Sequence, residues 1–212
     1  MAVFNGDGEL KQEAKEVLYE IGNMGVGTAI MPIGNIREME FRISTPNVIT
    51  LQEDIFSEID YDPEQVVVGV STRLDDNFQG SILFLLSKEF VRNTVHIMTE
   101  ESYDDTELME NEDSVSAIHE MINYMTAGYA KVIGAYLNTP IYISTARVGM
   151  EKAGKVIQDV MGASGKTVNK IACVNTQFTI VDEDGVKTDE SGQVLIFPDE
   201  KCIEAFIEIM GE

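Results

Sequence analysis

Glu20-Ile21-Gly22-Asn23-Met24-Gly25-Val26-Gly27 and Glu120-Met121-Ile122-Asn123 place the same Glu-x-x-Asn spacing at two points 100 residues apart. Twenty residues beyond each Asn come Ile43-Ser44-Thr45-Pro46 and Ile143-Ser144-Thr145-Ala146, again 100 apart. Further on, Gly80-Ser81-Ile82-Leu83-Phe84-Leu85 matches Gly192-Gln193-Val194-Leu195-Ile196-Phe197 at an offset of 112. Matches in the same order at nearly constant offset indicate an internal duplication. The extra dozen residues fall in the second half, between Ile143 and Gly192.

Around these anchors the two halves read alike. A helix is expected from about Glu9 to Ile30, and again from about Asp113 to Leu137. Strands are expected near 39–44, 65–72 and 79–86, with counterparts near 140–148, 170–180 and 192–197. The β-branched run Val66-Val67-Val68 suits a buried strand. Ser87 and Asp199 close the third strands and open short helices, each with an acidic residue in the first turn, Glu89 or Glu200. The expectation is an α+β fold built on a pseudo-two-fold duplicated α-β-β-β-α unit. One six-stranded, mostly antiparallel sheet carries the two long motif-bearing helices. The 212 residues are read as a single domain with repeats over about 8–100 and 110–212. The acidic stretch Glu100–Asp113 reads as the link between them, and Val181–Ser191 as a long hairpin connection.

At about 100° per residue, Leu10, Ala14, Val17, Leu18, Ile21 and Gly25 gather on one side of the first helix. Glu16, Glu20, Asn23 and Gly27 gather opposite. In the second helix Ile118, Met121, Ile122, Met125 and Tyr129 face Ser116, Glu120, Asn123 and Ala127 in the same way. Each Glu–Asn pair, at i and i+3, therefore shares one exposed ridge. The next position on each ridge is small, Gly27 or Ala127, which lets another backbone approach. Gly22, Gly25 and Gly27 each cost a helix interior roughly 1 kcal/mol relative to alanine, so this helix needs close packing there or ends early. A phosphate-cradling loop fits poorly, because such loops follow a strand and open a helix. On pattern alone, a duplicated helix surface without chemistry stands as an equal reading of the two ridges.

Composition narrows the function. Apolar residues make up 44% and charged residues 25%, as in an ordinary globular chain. Thirty-seven acidic against fifteen basic residues give a formal charge of −22. Such a field repels phosphate backbones and anionic lipid, which argues against nucleic acid and membranes as direct partners, and it favours a partner with a basic rim. The N-terminal stretch has no basic segment followed by an apolar run, and the longest apolar run is Ile82 to Leu86, so a cytoplasmic location is expected. Cys173 and Cys202 sit in apolar contexts and read as reduced core residues. With His96 and His119 they match no zinc-ligand spacing.

The two motifs resemble the CheC, CheX and FliY family of aspartyl-phosphate phosphatases. Its signature is Asp or Ser, three residues, Glu, two residues, Asn, twenty-two residues, Pro. The first copy here is Glu16, Glu20, Asn23, Pro46, with Glu at the opening position. The second is Ser116, Glu120, Asn123, Ala146, with Ala in place of Pro. Two motifs without an added domain are most similar to the CheC branch. The resemblance implies Glu20, Asn23, Glu120 and Asn123 as catalytic residues acting on a phosphorylated CheY-type response regulator. It implies a CheD-type receptor deamidase as a second partner. No cofactor of its own is implied, Mg²⁺ being supplied by the regulator. The alternative is a non-catalytic binding module that sequesters CheD or CheY.

Overall fold

The computed structural model describes residues 3–51, 58–59, 61–75, 80–163 and 171–210. The first half contributes helix α1 (Gln12–Arg37), strands β1 (Glu40–Ile43), β2 (Asn47–Leu51), β3 (Val66–Asp75) and β4 (Gly80–Leu86), and helix α2 (Lys88–Thr99). A short helix α3 (Asp105–Glu110) leads to α4 (Glu112–Tyr136). Then come β5 (Tyr142–Ile143), β6 (Arg147–Lys152), helix α5 (Ala153–Ala163), β7 (Ile171–Val181), β8 (Lys187–Pro198) and α6 (Glu200–Met210).

All strands join one antiparallel sheet in the order β1-β7-β8-β4-β3-β5, with β2 also on β7 and β6 also on β3. The order reads the same from either edge when first-half strands are exchanged for second-half ones. The opening strands of each half thus pair with the other half. The expected six strands are six positions occupied by eight segments, because each outermost strand breaks in two. The breaks fall on the Ser-Thr-Pro and Ser-Thr-Ala tripeptides. Pro46 has no N–H to give the ladder. The neighbouring strands are held there by serine: Gln177 N donates to Ser44 Oγ at 2.9 Å, and Arg73 N to Ser144 Oγ at 3.0 Å.

The sheet is covered on both faces. Alternate residues Val68, Val70 and Leu74 of β3 join α1, α2, α4 and α6 in the larger core. Val67, with Leu83, Leu85, Leu195 and Phe197, joins a smaller core under α5. Two covered faces explain why Ile82 to Leu86 are all buried with no polar alternation. Cys202 lies in the larger core and Cys173 in the smaller one, so the sheet separates the two thiols. Burial holds both above the ordinary thiol range, Cys202 at about 12. His96 bonds the Glu101 carbonyl through Nδ1 at 2.9 Å, on the surface.

Three local expectations change. The first helix runs on to Arg37 through Pro32, because its apolar stripe continues in the fully buried Ile33. The acidic link is partly helical: Asp104 and Glu107 form a capping box over α3, and Lys88 and Arg92 of α2 bind Asp105. The long hairpin connection shrinks to a tight turn between β7 and β8. There Asp182 Oδ1 accepts from Asp184 N and Val186 N, and Gly185 takes φ +75°. The capping expectations correspond to observed bonds, with Phe90 N donating to Ser87 Oγ and Cys202 N to Asp199 Oδ1.

The glycines of α1 mark close packing. A Cβ on Gly25 would lie 2.1 Å from the Tyr129 ring of α4. A Cβ on Gly128 would lie 2.7 Å from Ala29 Cα and Thr28 O, main-chain atoms of α1 that cannot rotate away. Gly27, by contrast, would meet only Ile43 Cδ1 at 3.8 Å. Gly128→Ala is therefore expected to lower unfolding free energy by about 1–3 kcal/mol. Gly27→Ala is expected to be neutral or stabilising by up to about 1 kcal/mol. Urea unfolding of the two variants measures both; equal effects would contradict the packing assigned to this seam.

Candidate functional site

Both Glu-x-x-Asn motifs lie in mid-helix, where the apolar stripe fixes which way they face. On α1 five core-side positions are buried, as is Leu10, which precedes the helix; Asn23 is exposed and Glu20 half-buried. On α4 the five core-side positions are buried, and Ser116, Glu120, Asn123 and Ala127 are all exposed. Neither Asn carboxamide bonds to another side chain among the described residues, so each retains an acceptor and two donors.

The two helices pack against each other and run antiparallel. Gly25 lies on Tyr129, Gly128 on Thr28 and Ala29, and the Glu20 charge reaches Tyr136, where it adds to burial in raising the phenol pKa. Following this register, the turn of Asn23 lies level with Lys131 along the helix pair, and the turn of Asn123 with Met31.

The flanks differ. Lys131 is exposed on α4, while Met31, its counterpart in the repeat, is 61% exposed on α1. Tyr124 donates to Glu120 Oε1 at 2.8 Å, and that bond raises the Tyr124 pKa. Met24 occupies the equivalent position and has no hydroxyl to offer Glu20. Glu16, at the opening position of the first copy, accepts from Gln12 Nε2 at 2.9 Å. Tyr19, Met24, Met31 and Tyr124 leave apolar surface exposed around the ridges, the composition that favours protein contact.

One departure from the family signature, Ala146 for Pro, has a packing counterpart in the helix beneath the strand break. In the first copy Gly22 lies beneath Pro46, whose Cβ would be 3.0 Å from an added glycine Cβ. In the second, the helix position is Ile122, buried in the larger core, and the loop position is Ala146, partly buried against it. A small helix residue beneath a large loop residue is replaced by the reverse. The larger helix residue at the matching position supplies volume there.

No family model matches the chain. A sequence relative, the CheY-P phosphatase CheC of Bacillus subtilis (strain 168), is 23% identical over 163 residues, 75% of each chain. Thermotoga maritima FliY superposes with TM-score 0.66 at 20% identity, over 95% of this chain and 98% of that one. CheX from a Borrelia burgdorferi complex with CheY, BeF₃ and Mg²⁺ superposes with TM-score 0.52 at 16% identity, over 84% and 97%. The fold is the mixed α+β arrangement of CheC-like proteins, a curled antiparallel sheet with helices packed on it. The sequence relative is a CheC protein, and the solved neighbours, FliY and CheX among them, share this chain's fold. Among the described residues no helix is long and apolar enough to cross a membrane.

Proposed function

We propose that this chain dephosphorylates the aspartyl phosphate of a CheY-type response regulator, using Asn23 and Asn123 to place the attacking water. The observation that carries this reading is the pair of unengaged carboxamides, each exposed on a ridge beside a Glu. In-line attack on an aspartyl phosphate leaves little covalent chemistry for a second protein to perform. The regulator contributes the phosphorylated Asp and a Mg²⁺ that neutralises the phosphoryl oxygens. What this chain adds is a positioned water. A neutral carboxamide holds that water by donor and acceptor groups without bringing negative charge to the phosphoryl group.

Glu20 and Glu120 would be repelled by that group, so docking suits them better. Each is assigned to a basic side chain of the regulator, fixing the register of the complex. The exposed tyrosines and methionines supply apolar contact around it. A CheD-type receptor deamidase is proposed as a second partner on the family resemblance.

Glu20→Ala and Glu120→Ala test the division of labour. Each is expected to raise KM for the phosphorylated regulator several-fold while leaving kcat within about two-fold, since loss of a docking charge weakens binding more than turnover. Steady-state phosphate release across regulator concentration separates the two. A loss confined to kcat would reassign the carboxylates to the chemical step.

A further inference from the structure

The sheet face turned away from α1 and α4 carries a polar cluster that the proposed reaction does not use. Ser71 and Arg73 of β3 share the face of Val67, in the smaller core. Ser81 of β4 pairs with Arg73, and Arg147 of β6 pairs with Ser71. All four therefore stand together, and the two arginines are diagonal neighbours roughly 7–8 Å apart. Both arginines are exposed and both serines half-buried. They line a groove of about 670 Å³, walled on its far side by α5 at Val156 and Asp159. Two carboxylates also face it, Glu151 and Asp159. Lys155 is bound to Glu151, and both carboxylates raise the Lys155 pKa. Against this acid–base trio, Arg73 and Arg147 leave the other wall positive in a chain of formal charge −22.

The opposite half of the sheet shows what such a cluster receives. Asn175 pairs with Leu195 and Asn47, as Ser71 pairs with Leu83 and Arg147. Gln177 pairs with Gln193, as Arg73 pairs with Ser81. The four matching positions are thus Asn175, Gln177, Gln193 and Asn47. There Asn175 Nδ2 and Gln193 Nε2 both donate to the Ile59 main-chain carbonyl, at 3.1 and 2.8 Å. One copy of the cluster closes on an acceptor oxygen of its own chain. The other presents two hydroxyls and two guanidinium groups to an open groove.

We propose that this groove binds the phosphate group of a small molecule, at a site separate from the Asn ridges. Guanidinium forks match phosphate oxygens in bidentate geometry, and the Ser71 and Ser81 hydroxyls stand where the other half places its two amide donors. The groove volume lies within the range of small-molecule sites.

Titration of the full chain with inorganic phosphate, followed by amide NMR shifts, tests this. Saturable shifts are expected on β3, β4 and β6, with Asn23 and Asn123 unmoved. Arg73→Ala and Arg147→Ala are each expected to weaken binding at least ten-fold, and Arg147→Lys less. Ser81→Asp, which sets a carboxylate in the groove, is expected to abolish binding even if an alanine variant folds poorly. Adenosine monophosphate distinguishes the source: tighter binding than inorganic phosphate assigns the groove to an organic phosphate, equal or weaker binding to the free ion, and either supports the site. Shifts that do not saturate, or that ignore all four substitutions, overturn it.

Discussion

The double variant Asn23→Ala/Asn123→Ala is expected to reduce dephosphorylation of a phosphorylated CheY-type regulator to the regulator's own rate, a loss on the order of 10²-fold or more, while the fold persists. Both side chains are exposed and bond to no other side chain among the described residues, so truncation removes no core contact. Stability is expected to change by less than about 0.5 kcal/mol, as for other surface positions. Each single variant is expected to retain part of the activity, because the two ridges have the same Glu–Asn spacing. The retained parts need not be equal. Full activity in the double variant would favour the non-catalytic binding module.

The largest expected loss of stability comes from Arg37→Ala. Arg37 ends α1 beneath the surface and binds Glu190 of β8 at 2.6 Å, with side chains 3% and 9% exposed. Its guanidinium also lies 5.8 Å from the centre of the Phe90 ring. Removing it leaves the Glu190 carboxylate buried without its partner, which costs about 3–5 kcal/mol. The double change Arg37→Met/Glu190→Met removes both charges and is expected to be milder than the single one, since a buried ion pair and an apolar pair of similar volume often differ little. Chemical unfolding of the three proteins decides this. A single variant as stable as the parent would show that Glu190 reaches water when Arg37 is gone.

The repeat and the 3.6-residue stripe made much of the fold readable. Alternating apolar turns on α1 and α4 identified the buried faces, and Ser87 and Asp199 marked the ends of β4 and β8. The break within each outer strand was hidden, because Ser44 and Ser144 replace ladder bonds with side-chain ones and the residues look strand-like. Helix α5 was missed for a different reason: it lies between the matched motifs at Ile143 and Gly192, where no shared sequence pattern marked an element. The run of α1 past Pro32 depends on Ile33 and Arg37 being buried by distant strands. The Arg37–Glu190 pair, 153 residues apart in sequence, depends on tertiary placement in the same way.

The site was legible to the same depth. Spacing alone put Glu20 with Asn23, and Glu120 with Asn123, on exposed ridges. It gave no sign of what stands across the seam, since Tyr136 comes within reach of Glu20 only through the helix register set at Gly25 and Gly128. The Tyr124–Glu120 bond was available as an i, i+4 pair, and its absence in the first copy, where Met24 stands, is visible from the repeat.

The central claim is hydrolysis, and the most direct test is phosphate release from a phosphorylated CheY-type regulator, with Mg²⁺, in the presence and absence of this chain. Catalytic amounts of the chain are expected to accelerate release over many turnovers. Release unchanged by the chain, while the phosphorylated regulator still binds it, would contradict a phosphatase.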